Sequence, residues 1–103
     1  MVYYLYSAPE ERGFWFEFDE PKSQANLAKH GIDFVQAQRL WLDVCRWEFA
    51  ARDGAEKRFL VVGTLVGRTW TAVITYRGET IRIISARRSS RQEARTYGRR
   101  GIR

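Results

Sequence analysis

The sequence predicts an α+β domain: an antiparallel sheet with two N-terminal helices and a C-terminal helix. Three observations predict it. Residues 69–76 and 80–86 are two runs rich in Thr, Val, Ile and aromatics around a tight turn, the pattern of a β-hairpin. The stretch before them carries two sets of helix start and stop signals. The stretch after them opens on Ser90-x-x-Glu93, a capping box, and continues as a basic helix.

The hairpin comes first because it sets the geometry. Gly78-Glu79 suits a two-residue turn whose first position needs a positive φ. That turn fixes a register in which Arg77 faces Thr80, Thr75 faces Arg82, Val73 faces Ile84 and Thr71 faces Ala86. On the other side Tyr76 faces Ile81, Ile74 faces Ile83 and Ala72 faces Ser85. One face then buries Ile74, Ile81 and Ile83. The opposite face carries Thr71, Thr75, Arg77 and Arg82 and is either simply solvated or built to hold an anion.

The remaining elements follow in chain order. Residues 1–13 read as an N-terminal extension with a short edge strand at 2–6, and residues 14–103 as a single domain. Residues 14–18 alternate and read as a strand. Asp19 or Glu20 caps a helix with Pro21 in its first turn, ending at His30 before Gly31. On that helix Ala25 and Ala28 mark one face, and Lys22, Asn26, Lys29 and His30 the opposite stripe. Asp33 and Gln36 form a capping box for a second helix with Phe34, Ala37, Leu40 and Trp41 on its apolar face. Residues 44–51 read as a weak strand, Arg52-Asp53-Gly54 as a turn, 58–63 as a strand and 64–68 as a short loop. With the helices on the greasy face, the Thr/Arg face stays open.

Composition narrows the function. The chain has 103 residues, 45% of them hydrophobic, enough for one core. The single cysteine, Cys45, reads as a small buried hydrophobe and fits a reducing cytosol. No apolar run is long enough to span a membrane and no signal-peptide pattern opens the chain. One His and one Cys offer no zinc-ligand set, so no metal or cofactor is expected. The formal net charge is +6, and it is uneven. Residues 77–103 hold nine arginines against Glu79 and Glu93, whereas residues 1–76 hold nine cations against ten acids. Fifteen of the eighteen cations are Arg, whose planar fork grips phosphate oxygens in pairs. A polyanion partner follows, with an acidic protein or mere solubility as the alternatives.

The runs FEFDEPKSQANLAKHGIDFVQA and EKRFLVVGTLVGRTWTAVITYRGETIRIISARRSSRQEARTYGRR resemble the BrnT family of toxins from bacterial type II toxin–antitoxin systems. The motifs are Asp19 before a helix, Asn26, Lys29-His30-Gly31 with Phe34, Arg58, Gly63, Gly67-Arg68, Thr75 with Arg77, RIISAR, Glu93 and Tyr97. The resemblance covers about residues 14 to 100. Residues 1–13 and the stretch 47–51 fall outside its clear matches. It implies a RelE-like fold and a cytoplasmic endoribonuclease that cuts RNA without a metal and arrests translation and growth. It also implies silencing by a cognate ribbon-helix-helix antitoxin of the BrnA type, whose complex binds operator DNA.

Such chemistry needs a proton acceptor, a proton donor and cations around the phosphorane. His30, the only side chain with an ordinary pKa near neutrality, is the first proton-transfer candidate, with helix capping as its plain alternative. Glu56 is a second acceptor. Arg58, Arg77 and Arg82 are the phosphate-holding candidates. Lys22, Lys29, Thr75, Arg87, Arg88 and Tyr97 are the substrate-binding ones, Tyr97 able to stack a base or pack. Glu93 reads as a helix cap. A non-catalytic RNA- or DNA-binding module and a pure protein-interaction partner are the other classes these residues fit.

Overall fold

The computed structural model describes residues 2–7, 13–51 and 57–101. Two strands open the chain, β1 (Val2–Ser7) and β2 (Gly13–Phe18). They are followed by α1 (Glu20–His30), α2 (Phe34–Ala37) and a 3-10 helix (Gln38–Leu42) that prolongs α2. Then come β3 (Trp47–Ala50), β4 (Phe59–Leu65), β5 (Arg68–Arg77), β6 (Thr80–Arg88) and α3 (Arg91–Gly101). The class is α+β as expected. The sheet, however, is mixed: its order is β1-β2-β6-β5-β4-β3, and β2 runs parallel to β6 while every other pair is antiparallel. The parallel pair is possible because helices and three strands of chain separate its members; alternation within a strand carries no trace of its partner's direction.

The core lies between the sheet and the helices α1 and α2. Phe16 and Phe18 alternate inward from β2. Phe18 meets Phe34 of α2 edge-on at 5.7 Å, and Phe16 meets Trp41 at 5.1 Å. Ile74, Ile81 and Ile83 are buried on this face, as the hairpin pattern predicts. Phe34, Ala37, Leu40 and Trp41 are buried too, the last two from the 3-10 extension rather than a continued α-helix. Asp33 and Gln36 exchange both capping-box bonds, and Gly31 ends α1 at φ 82°.

Several local expectations are corrected. The hairpin register holds from Arg77–Thr80 to Ile74–Ile83, and then a bulge shifts it. Val73 pairs with Ser85, Ala72 with Ala86 and Thr71 with Arg87, leaving Ile84 as the extra residue. The bulge turns Ala86, not Ser85, into the core. The expected loop at 64–68 is a two-residue turn, with Val66 at φ 51° and Gly67 at φ 73°. The two strand expectations at 58–63 and 44–51 correspond to β4 and to the shorter β3; the turn expected at 52–54 lies outside the described residues. Cys45 is exposed, not buried. No helix among the described residues is long and apolar enough to cross a membrane.

The faces expected on α1 are corrected in part: Lys22 and Lys29 are exposed as expected, but Asn26 is buried. Ala25 and Ala28 are exposed, while Ser23 and Asn26 face the sheet. The reason lies in β6. Its pairing with β2 stops at Arg82, so further along that edge the backbone of Ala86 has no strand beside it. Asn26 fills the gap: its amide donates to the carbonyls of Ala86 and Ile32 at 2.8 Å each and accepts from the N–H of Ala86 at 3.3 Å. Ser23 accepts from the N–H of Phe34 at 2.9 Å.

The Thr/Arg face is only partly open. α3 covers one end of it, over Thr71, whose hydroxyl donates to Glu93 at 2.9 Å.

Candidate functional site

At the uncovered end of that face, one transverse row of residues crosses three strands. Glu17 of β2 pairs with Arg82 of β6, and Arg82 pairs with Thr75 of β5. Glu17 stands between Phe16 and Phe18, so alternation sends it away from the core they enter. Arg77 lies two residues beyond Thr75 on the same side. Thr75 is buried rather than solvent-facing, and its hydroxyl donates to the carbonyl of Lys57 at 2.7 Å. That bond ties down the residue before Arg58.

The row opens into a cleft of about 190 Å³ lined by Lys22, Arg58, Arg77, Arg82 and Asp19, with Ile83 and the bulge residue Ile84 as its apolar wall. Lys22 and Asp19 arrive from the start of α1. Asp19 occupies the N-cap position, yet its side chain makes no capping hydrogen bond. The N-terminus of α1 adds its partial positive charge to that of the four cations.

Glu17 is the counter-charge. Only 3% exposed, it accepts a hydrogen bond from Arg82 at 2.8 Å and lies 3.4 Å from Arg77. The two arginines differ in setting. The Arg82 side chain is 18% exposed and Arg77 58%. The hairpin pattern alone predicts a solvent-facing Arg82; the parallel neighbour β2 covers it instead. The cluster is suited to a phosphate: two guanidinium forks, a third Arg and a Lys converge, and one carboxylate keeps them from repelling one another apart.

The other candidates lie elsewhere. Lys29 and His30 sit at the C-terminal end of α1, about 12 Å along its axis from Lys22, and do not line the cleft. Glu56 lies outside the described residues. Arg87 is committed to Glu93 through two bonds of 2.9 Å. The bond to Arg87 is the main reason the Glu93 carboxyl drops to about 2, with help from the Ser90 N–H and the Thr71 hydroxyl against the cost of burial. Glu93 also accepts from the Ser90 N–H while Ser90 accepts from its own, completing the predicted capping box. Arg88 lies over the ring of Trp70 at 5.5 Å. Tyr97 bonds Asp43 and Thr64, and burial followed by the Asp43 contact pushes its phenol pKa up.

In the sequence Asp19 reads only as a cap, and Glu17 stands out as no candidate. Glu17 did leave a signal, a charge between two core phenylalanines, but its partner could not be named without the parallel β2–β6 pairing.

No curated protein matches the chain by sequence. A family model does, that of the ribonuclease toxin BrnT of type II toxin–antitoxin systems, over residues 18–93. That span contains α1, the whole arginine cleft and the Glu93 cap of α3. The chain belongs to the BrnT family of ribonuclease toxins.

Proposed function

We propose that this toxin cuts RNA at the cleft by attack of a ribose 2′-hydroxyl on the adjoining phosphate, without a metal ion. A bond forms between the 2′-oxygen and phosphorus, the bond to the 5′-oxygen breaks, and the products are a 2′,3′-cyclic phosphate and a 5′-hydroxyl. Arg77, Arg82, Arg58 and Lys22 hold the phosphate and the charge that grows on it. Asp19, on the cleft wall with no capping bond of its own, takes the 2′-hydroxyl proton. Lys22, one turn along α1, supplies the proton to the leaving 5′-oxygen. Glu17 is a positioning residue that holds Arg82 and Arg77. What carries the reading is the convergence of four cations, Arg58 just before β4, Arg77 of β5, Arg82 of β6 and Lys22 of α1, on one cleft in a ribonuclease-toxin family member.

In the same reading residues 14–103 form a RelE-like toxin domain, to which residues 1–13 add an edge strand. The toxin acts in the cytoplasm and arrests translation. A ribbon-helix-helix antitoxin lays acidic side chains over the cationic cleft, and the complex binds operator DNA.

The experiment is induction in bacteria with and without the neighbouring gene, together with purified toxin on RNA in excess EDTA. Growth arrest relieved by the neighbour, and EDTA-resistant cleavage leaving cyclic phosphate and 5′-hydroxyl ends, is the expected result. Cleavage abolished by EDTA, ends bearing a 5′-phosphate, or bound but intact RNA would overturn the mechanism.

A further inference from the structure

A second hollow opens on the same face of the sheet, and its chemistry differs. It measures about 270 Å³ and is lined by Trp47 and Phe49 of β3 and by Ser90, Gln92, Glu93 and Thr96 at the start of α3. Trp47 and Phe49 stack on each other with ring centres 4.2 Å apart and an angle of 29°. Two residues apart on one strand, they share a face.

The register shows which face. Trp47 pairs with Val62, which pairs with Thr71; Phe49 pairs with Leu60, which pairs with Val73. Thr71 and Val73 alternate with Thr75 along β5, and Thr75 belongs to the row of Glu17 and Arg82. The aromatic pair and the arginine row therefore look out on the same side. Arg58 precedes Leu60 by two residues, so Phe49 and Arg58 lie about 8 Å apart between backbones, one strand across and two residues along. A single nucleotide spans that distance from its phosphate to its base.

We infer that the Trp47–Phe49 hollow holds an unpaired RNA base next to the phosphate seated among the arginines. This rests on the ribonuclease reading above and adds a binding site to it. The occupant is argued from three features: the cationic cleft on the same sheet face within one nucleotide's reach, a flat aromatic floor of the kind bases stack on, and polar groups on the α3 rim that can meet a base edge. Gln92 offers a donor and an acceptor together, and Ser90 and Thr96 offer hydroxyls. Stacking accepts any base, whereas Gln92 discriminates, so this hollow contributes to the choice of cleavage position.

The test uses hexanucleotides with 2′-O-methyl on every sugar, which cannot undergo 2′-hydroxyl attack. One has all six bases, and six others each lack one base. With wild-type toxin, removal of one particular base should weaken binding roughly tenfold or more. In Trp47→Ala and in Phe49→Ala that position should lose its effect, the full strand binding as the abasic one does. Gln92→Trp, made on an exposed helix position, should fill the hollow from the α3 side and flatten the series without touching the sheet. It keeps the test decisive if the strand variants melt early. Variants that keep the wild-type abasic profile would overturn the base site alone. Wild-type toxin that binds none of the strands would overturn both the base site and the RNA cleft beside it.

Discussion

Glu17 and Arg82 meet across the one parallel strand pair of the sheet, the carboxylate accepting a 2.8 Å bond from a guanidinium that is itself mostly covered. The pair is ready-made for exchange. Until an anion arrives, Glu17 supplies the negative charge that Arg82 and Arg77 require. On the proposed reading, a phosphate in the cleft would share the same donors.

Glu17→Gln should therefore lower stability, by about 1–3 kcal/mol, less than a wholly buried pair because Arg82 keeps some water. Inorganic phosphate should raise the melting temperature of this variant more than that of wild type. Melting curves over a phosphate titration measure it. Equal shifts for the two proteins would mean that Glu17 and the anion do not use the same arginines.

The two arginines separate activity from stability. Arg77 is largely exposed and 3.4 Å from Glu17, so Arg77→Ala should shift stability by no more than about 0.5 kcal/mol. It should still slow cleavage roughly a hundredfold, as loss of a charge-assisted contact to the phosphorane does. Arg82→Ala should cost both, since it removes the 2.8 Å bond to the buried Glu17. Initial rates and melting temperatures on the same preparations decide this. A fully stable Arg82→Ala, or a fully active Arg77→Ala, would refute the division of roles.

These differences mark how far the sequence can be read. Patterns confined to one segment were legible: the Gly78 turn, the apolar face of Ile74, Ile81 and Ile83, and the capping boxes at Asp33 and Ser90 are each settled within a few residues. What depended on a distant partner was not. Asn26 looks like a surface residue beside Lys22 until the unpaired edge of β6 gives its amide something to bond. Ile84 looks like one more strand position, and the bulge it creates reassigns every residue after it. The gathering of Arg58, Arg77, Arg82 and Lys22 was legible only in part. The first three share a face by register, but Lys22 joins them through the turn from β2 into α1.

Acid should loosen α3. The Glu93 carboxyl stands at about 2, below its ordinary 4.5, because Arg87 bonds its ionised form. A depressed folded pKa stabilises fully above the unfolded value, and that contribution is lost as pH falls from about 4.5 towards 2. Between about pH 5 and 3 the melting temperature of wild type should drop further than that of Glu93→Gln, which has no charge to lose at this position. Parallel pH dependences would show that the Arg87–Glu93 pair does not anchor the helix to the sheet.

The last prediction sets the two ends of α1 against each other. Asp19 opens the helix and lines the cleft; His30 closes it, about 16 Å away along the axis. Asp19→Asn keeps the shape of the side chain and removes no capping bond, so the fold should persist. Cleavage should fall by about 10²–10⁴-fold if this carboxylate takes the 2′-hydroxyl proton. His30→Ala should instead lose only the favourable interaction of a basic group with the helix C-terminus, up to about 1 kcal/mol when the imidazole is charged. Its cleavage per folded molecule should stay near wild type. Cleavage rates per folded molecule on both variants separate the ends: a fall in Asp19→Asn, with an unchanged rate in His30→Ala, places proton transfer at the start of the helix. The opposite pair of results would move it to the Lys29-His30 end and leave Asp19 as a neighbour of the phosphate only.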